Sequence, residues 1–477
     1  MSPHVSEPGQ VPGGGFAPFE IADAPRVRIG DSPGHTLRRH LPGSVPVRAP
    51  RVAVILDGYV PRYRARLYEL LSERSEIEYV VFHGKPPARN PAPSATPPFS
   101  FPSREVRNVE LRIGGRTLIH QRGVPSAVRD DFQAIVVGAQ LRFVSSLVLL
   151  ALWKRQGRPV ILWGQGCDKD EDVGGIGRAS MAAKRRLKRA MARTADGYLV
   201  YTEGGRERLL DAGLDPHRVF VVQNTLDVEE QIAIHDRLQQ ADVAGLRSEL
   251  GLRQDSVVLL FVGRLYREKR VHDLLEAVRT MRSAHMTARP IEVVVIGQGP
   301  ELSDIRAQTE RVPDVHLRGE ITDQVEVARY MRVAAAVVIP GKVGLAANHA
   351  FAQGRPLISM KGRFHAPEFE YVEHRRNGLV IDGDVAAFAR ALADFCDSQA
   401  LQDDLAEGAL STRDRLGIER TANAFDDGVR AVLGAPRQPT PVMRRSSTQA
   451  PPEPFPVSPS AGATRTAALT GARGRAR

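Results

Sequence analysis

The first residues that could do chemistry are two cations placed just after an apolar run. In FVGRLYREK (261–269) a buried-type stretch ends at Gly263, and Arg264 and Lys269 follow before a helical pattern near Val271. Glycine lets a backbone approach a ligand closely. A guanidinium can fork onto a phosphate, and a nearby ammonium can reach the same anion. The pair therefore suits a diphosphate, with a solvated basic turn as the plain alternative. Downstream, VIGQGPELSDI (295–305) reads as strand, turn and helix, with Gly297 and Gly299 in the turn and Pro300 at the helix start. Such a turn can face a nucleotide, although it lacks the third glycine and the distal acid of a dinucleotide fingerprint. In VVIPGKVGLAANHAFAQGRPLIS (337–359) a strand ends at Pro340. Gly341, Lys342 and Gly344 form a loop, and a helix begins near Leu345 with His349 in its first two turns. Backbone N–H groups of such a loop make an anion nest.

The first half offers candidates of another kind. DGYVPRYRARLYELL (57–71) places Tyr59, Arg62, Tyr63 and Arg64 just after a strand, where they can line a cleft. LWGQGCDKDED (162–172) carries Gln165 and the acid pair Asp168 and Asp170. An Asp-x-Asp pair can hold a divalent metal, but a solvated acidic loop is the better reading, and no metal is expected. RASMAAKRRLKRAMAR (178–193) is a basic helix with Met181, Leu187, Ala190 and Met191 as a modest apolar stripe, which suits an anionic membrane surface or an acidic substrate. No Walker loop, HExxH or zinc-spaced Cys/His set occurs.

These residues hang on a repeated grammar. Apolar runs at 51–57, 77–84, 134–139, 159–164, 197–202 and 219–224 alternate with amphipathic stretches, and a second series runs through 256–263, 291–297, 315–319, 334–340, 356–360 and 378–382. Continuous Val/Ile/Leu runs separated by helix-length segments predict parallel strands buried on both faces. The fold class is α/β, with two Rossmann-like doubly wound domains at 51–226 and 227–434 facing a central cleft. The last helices, about 401–433, can cross back to the first domain. Residues 1–50 and 435–477 read as disordered tails, because Pro/Gly/Ser/Ala-biased sequence buries too little apolar surface to offset ordering entropy. The start lacks a basic-then-apolar leader pattern, and a cytoplasmic protein, peripheral to a membrane, is expected.

The net charge of +11 sorts unevenly: the first domain carries +10, the second −6 and the C-terminal tail +6. Nucleic acid is not the expected partner, since no binding module is present and aromatic content is only 6%. Two cysteines exclude a disulfide scaffold.

From 51 to 433 the chain resembles the retaining GT-B glycosyltransferases of the group 1 (family 4) class. FVGRLYREK is similar to that family's donor-diphosphate strand, VIGQGPEL to its next turn, PGKVGLAANHAFAQGRPLIS to its E-G-F-G-L loop and helix, and HAPEFEYVEHRRNGLVI (365–381) to the segment after it. YTEGGRERLLDAGLDPHRVFVVQNTLD (201–227) is similar to the stretch leading into its hinge. The resemblance implies sugar transfer from a UDP-, GDP- or ADP-sugar, a substrate rather than a cofactor, to a glycan, lipid-linked or small-molecule acceptor with retention of configuration. It implies that Arg264 and Lys269 stabilise the departing diphosphate, that Gly344 and Leu345 contact donor, and that Gly263, Gly297, Gly299 and His349 border the donor site. Tyr59, Arg62, Tyr63, Arg64 and Gln165 are the acceptor-side candidates. The chain departs from the family where its paired glutamates fall on Gly341 and His349, and where Gln165 replaces a histidine. Glu368 or Glu370 could supply a missing acid. Those departures keep two other readings open, a catalytically silent sugar-nucleotide-binding protein and a GT-B-fold sugar-nucleotide epimerase.

Overall fold

Runs of branched aliphatic residues make the strands, because such side chains pack on a pleated surface and are stiff at χ1. The computed structural model describes residues 49–86, 94–113, 116–129, 131–166, 178–239, 243–362 and 365–434. The first sheet has seven parallel strands: β1 (Arg51–Ile55), β2 (Glu78–His83), β3 (Ser103–Glu105), β6 (Ala134–Gly138), β7 (Val160–Gly164), β8 (Gly197–Val200) and β9 (Val219–Val221), in the order β3-β2-β1-β6-β7-β8-β9. The second has six: β10 (Val257–Val262), β11 (Ile291–Ile296), β12 (Val315–Gly319), β13 (Ala336–Val338), β14 (Leu357–Met360) and β15 (Gly378–Ile381), in the order β12-β11-β10-β13-β14-β15. Pairing is parallel throughout both sheets, as in Val54↔Val81 and Leu260↔Val294. Both sheets belong to one compact unit and form the two Rossmann-like domains of a GT-B fold.

The strand order reverses direction once in each sheet, between β1 and β6 and between β10 and β13. Ligands of open α/β sheets bind outside the carboxyl ends of the strands at such switch points. Each expected apolar run holds a strand. The short β3 and the antiparallel hairpin β4 (Arg107–Ile113) with β5 (Arg116–Arg122) were not expected. Their residues alternate with charge instead of forming apolar runs, which is the pattern of a surface hairpin. The signal that could have found it is Gly114–Gly115 between two alternating segments.

The helix Gln399–Arg413 stays on the second domain, burying Leu405 and Ala409 in its core. The next helix, Ile418–Leu433, packs on the first sheet. Its Ile418, Ala422, Phe425 and Val429 share a core with Val52, Tyr79, Trp163 and Leu199. Phe425 meets Trp163 edge-on at 5.1 Å between ring centroids. Asp426 anchors the far side, accepting hydrogen bonds from Tyr79 Oη at 2.8 Å and Ser75 Oγ at 2.6 Å. Among the described residues no helix is long and apolar enough to cross a membrane.

In the basic helix, here Arg178–Thr194, Met191 is buried in the first-domain core, while Leu187 and Ala190 are exposed. The expected apolar stripe is therefore not one surface, because the helix must turn Met191 onto the sheet to be held there.

Candidate active site at the switch points

At the second switch point the chain beyond β10 and the chain beyond β13 lie backbone on backbone. Gly341 N donates to Lys269 O at 3.0 Å and Lys342 N to Glu268 O at 2.7 Å. A Cβ on Gly341 would stand 2.0 Å from Glu268 O, so no side chain fits there. At the position where the resemblance puts a glutamate, this chain's loop thus leaves no room for a side chain. Gly297 and Gly299 also serve a close approach: a Cβ would stand 1.9 Å from Gly263 O or 2.1 Å from Leu265 O. Their turn is tied to the strand extension by Leu265 N donating to Gln298 O at 2.8 Å and Glu301 N to Leu265 O at 3.1 Å. These glycines are required by the protein's own packing, and Gly263, at φ 145°, lies beneath the Lys269 side chain.

Lys269 is 8% exposed, whereas Arg264 is open to solvent. Burial, reinforced by Lys342 and opposed by Glu368, pushes the Lys269 ammonium down to about 8. The 341–345 loop is braced by a residue the sequence reading did not single out. His365, 2% exposed, accepts from Val343 N at Nδ1 (3.2 Å) and donates from Nε2 to Met360 O (2.8 Å), while its ring stacks on Phe369 at 3.6 Å. Those two bonds define one neutral tautomer. Gly344 has room around it, and Leu345 packs against the small cluster of Leu226, Val228 and Ala352. His349 is half-buried on the short helix Ala346–Ala352, and burial pushes it down to about 4. It is neutral at ordinary pH, able to hydrogen-bond but not to supply charge.

The carboxyl ends of the two sheets are joined by a polar chain centred on Asn224, which the sequence reading passed over. Arg64 donates from Nη2 to Tyr201 Oη at 2.7 Å and to Asn224 Oδ1 at 3.0 Å, and its guanidinium lies 4.4 Å from the Trp163 ring centroid. Asn224 Nδ2 donates to Glu368 Oε1, and Asn224 N to Tyr371 Oη at 3.0 Å. Glu368 is 4% exposed, and burial holds its carboxyl above the usual range against the pull of Asn224, Arg64 and Lys269. Glu370 is used differently. It accepts from Gly204 N at 3.0 Å at the N-terminus of the helix Glu203–Asp211, which belongs to the first domain. Of the two acids considered as replacements, Glu368 therefore faces Lys269, and Glu370 joins the domains.

The five acceptor-side candidates do not form one wall. Tyr59 lines a cavity at the first switch point, and Tyr63 packs on Leu226, Val228 and Ala352. Arg64 is engaged in the Asn224 chain, while Arg62 and Gln165 are exposed. Asp168 and Asp170 lie outside the described residues. Among the described residues no group of three or more His, Cys, Asp or Glu is placed to hold a metal.

Two parallel α/β sheets joined through their carboxyl ends have the GT-B architecture, and the second carries a buried lysine beside a glycine-built turn. Residues 256–398 match the family model described as Glycosyl transferases group 1, so this stretch of the second domain is similar to that family. Curated relatives include the D-inositol 3-phosphate glycosyltransferases of Streptomyces avermitilis, 32% identical over 43% of this chain and 46% of the relative, and of Streptomyces scabiei, 30% identical over 49% and 53%. The chain thus spans about half the length of the curated relatives it matches. Among solved structures, Anabaena HepE in complex with UDP aligns with a TM-score of 0.58 at 15% identity, over 80% of this chain and 100% of that one. Sucrose-phosphate synthase from Thermosynechococcus elongatus aligns at 0.58 and 17% identity, over 81% and 99%. At these identities the structural likeness speaks for the fold.

Proposed function

We propose that the protein transfers a hexose from a nucleotide-sugar donor to a glycan, lipid-linked or small-molecule acceptor with retention of configuration. The observation that carries this reading is Lys269, nearly buried at the second switch point, with Arg264 on the same strand extension. A buried ammonium without a hydrogen-bonded anion is costly. A donor diphosphate would neutralise it, and the two cations would stabilise the charge that grows on the leaving group. UDP is the first donor base to test, because HepE structures hold UDP and UDP-glucose. In a front-face transfer the leaving phosphate can take the acceptor's proton. The mechanism then needs no protein base at Gly341 or His349. The basic helix Arg178–Thr194 supports a peripheral position on an anionic membrane face, with the acceptor presented from there.

A silent sugar-nucleotide-binding protein is the second reading, favoured by the steric exclusion of any side chain at Gly341. Transfer assays with UDP-, GDP- and ADP-sugars across an acceptor panel separate the two. The transferase reading requires turnover that falls at least 100-fold in Arg264→Ala and Lys269→Ala. Tight nucleotide binding with no turnover on any acceptor would replace it with the silent reading.

A further inference from the structure

Among the described residues seven large apolar side chains are exposed, and six of them sit on three neighbouring elements of the first domain. They are Val109, Leu111 and Ile113 on β4, Val148 and Leu152 on the helix Val144–Arg155, and Leu187 on the helix Arg178–Thr194. Single exposures scattered over a surface are ordinary, but a cluster marks a contact surface. The three elements adjoin. Both helices bury their other faces in one core, with Leu149, Leu150 and Trp153 from the first and Met191 and Ala192 from the second. The hairpin is tied to the start of the first helix by Gln121 N donating to Ser145 Oγ at 2.6 Å, and to the end of β1 by Gln121 Nε2 donating to Leu56 O at 3.0 Å.

Strand alternation splits the hairpin into two faces. Asn108, Glu110, Thr117 and Ile119 line the cavity at the first switch point, so Val109, Leu111 and Ile113 turn away from it, with Leu118 opposite Leu111. Leu111 and Ile113 are 57% and 56% exposed, so the described chain leaves this row uncovered. The helix Val144–Arg155 is likewise apolar on both sides, with Val148, Ala151 and Leu152 toward solvent. A helix apolar all round is ordinarily buried all round. The charge on these elements is one-sided. Residues 107–122, 144–155 and 178–194 hold thirteen Lys or Arg and one acid, Glu110, which lies on the cavity face. Arg122, Arg155, Arg186 and Arg189 are exposed. Aliphatic side chains among cations fit a layered partner with anionic groups above hydrocarbon, which is an anionic lipid bilayer. A second copy would bring like charge against like. A nucleic acid would meet the cations but find no ring to stack on, because Trp153, the one Phe, Tyr or Trp in these segments, is buried. Resting on the peripheral reading above, we propose that the β4–β5 hairpin is a membrane anchor whose Val109, Leu111 and Ile113 row enters the acyl-chain boundary of an anionic bilayer, while the cations of the two helices meet its headgroups.

The test is co-sedimentation of the full chain with vesicles of phosphatidylcholine alone and of phosphatidylcholine with about one quarter phosphatidylglycerol, at about 100 and about 500 mM salt. Wild type is compared with the double variants Leu111→Ser/Ile113→Ser and Arg186→Glu/Arg189→Glu. All four positions are exposed, and unchanged thermal melts show that the variants fold. Leu111→Trp reports depth, because the two native tryptophans, Trp153 and Trp163, are buried. The expected result is binding to the anionic vesicles alone, partly retained at the higher salt and weakened at least about tenfold in each double variant. Brominated acyl chains should quench the Leu111→Trp emission. A serine variant that binds like wild type, with Leu111→Trp unquenched, overturns the proposal and leaves a peripheral position through the helix Arg178–Thr194 standing. Tighter binding to DNA than to vesicles overturns it too, as do concentration-dependent dimers that the serine variant abolishes. Binding to neither vesicle removes both the anchor and the peripheral reading.

Discussion

The two switch points solve the same topological problem with opposite materials. In the first sheet the glycine at the end of the crossover strand, Gly138, makes room for a side chain, the Asp57 carboxylate. In the second, Gly341 makes room for backbone, Glu268 O and Lys269. Side chains can be exchanged without moving the main chain, whereas a backbone contact fixes the loop. The second site is thus a backbone-braced turn presenting cations, which suits the diphosphate of the donor proposed above. The first is walled by side chains of both signs, Lys85, Arg107 and Arg142 beside Asp57, Glu105 and Glu110. The Asn224 chain and the helix Ile418–Leu433 hold the two in register.

Four measurements would break or sharpen that contrast. The largest effect is expected at the cations: Lys269→Ala should cost about 3 kcal/mol of transition-state stabilisation, roughly 100-fold in kcat, and weaken UDP, while Asp57→Asn leaves UDP unchanged. Equal loss in both would mean the two sites are not separate. Next come the glycines. Gly341→Ala should destabilise by about 3 kcal/mol because backbone must move, against about 1 kcal/mol for Gly138→Ala, where Asp57 can rotate away. Denaturant melts that reverse this ranking would undo the side-chain-against-backbone distinction.

Third is the pH dependence of stability. Asp57 has its folded value raised to about 7 from 3.8, so between those values the folded state keeps a proton that the unfolded chain has lost. Stability therefore falls as pH rises through that window, and Asp57→Asn should regain about 2 kcal/mol at pH 8. A wild-type-like profile in the variant would show that Asp57 is not the titrating group. The smallest effect concerns Lys269, whose value is lowered to about 8. UDP affinity should fall several-fold between pH 8 and 9 as the ammonium loses its proton, and Lys269→Arg should flatten that slope. Calorimetry showing the same slope in both proteins would assign the titration elsewhere.

Much of this was legible beforehand, for identifiable reasons. Apolar runs such as VVLLFV and IEVVVI are self-evident strands, because burial on both faces leaves no room for polar alternation. Arg264 and Lys269 were visible from their place after such a run. The β4–β5 hairpin was not, since its segments mix charge with Val109, Leu111 and Ile113 on a surface. Asn224 and His365 were invisible as site residues: Asn224 meets Glu368 and Arg64 far away in sequence, and His365 joins Met360, five residues back, to Val343 across the intervening strand. Tyr59 and Tyr63 are close in sequence yet serve a cavity and a domain contact, a split that a short helical turn decides.

By itself the sequence determined two parallel α/β sheets and a pair of cations at one strand end, because periodicity and local spacing suffice for both. Tertiary structure alone decided which polar groups meet. Asp57 against Gly138, the hydrogen bond from Gln121 to Leu56 O, and the exclusion of any side chain at Gly341 depend on contacts across the sheet, between hairpin and switch point, and between two loops. No local pattern in the chain encodes those distances.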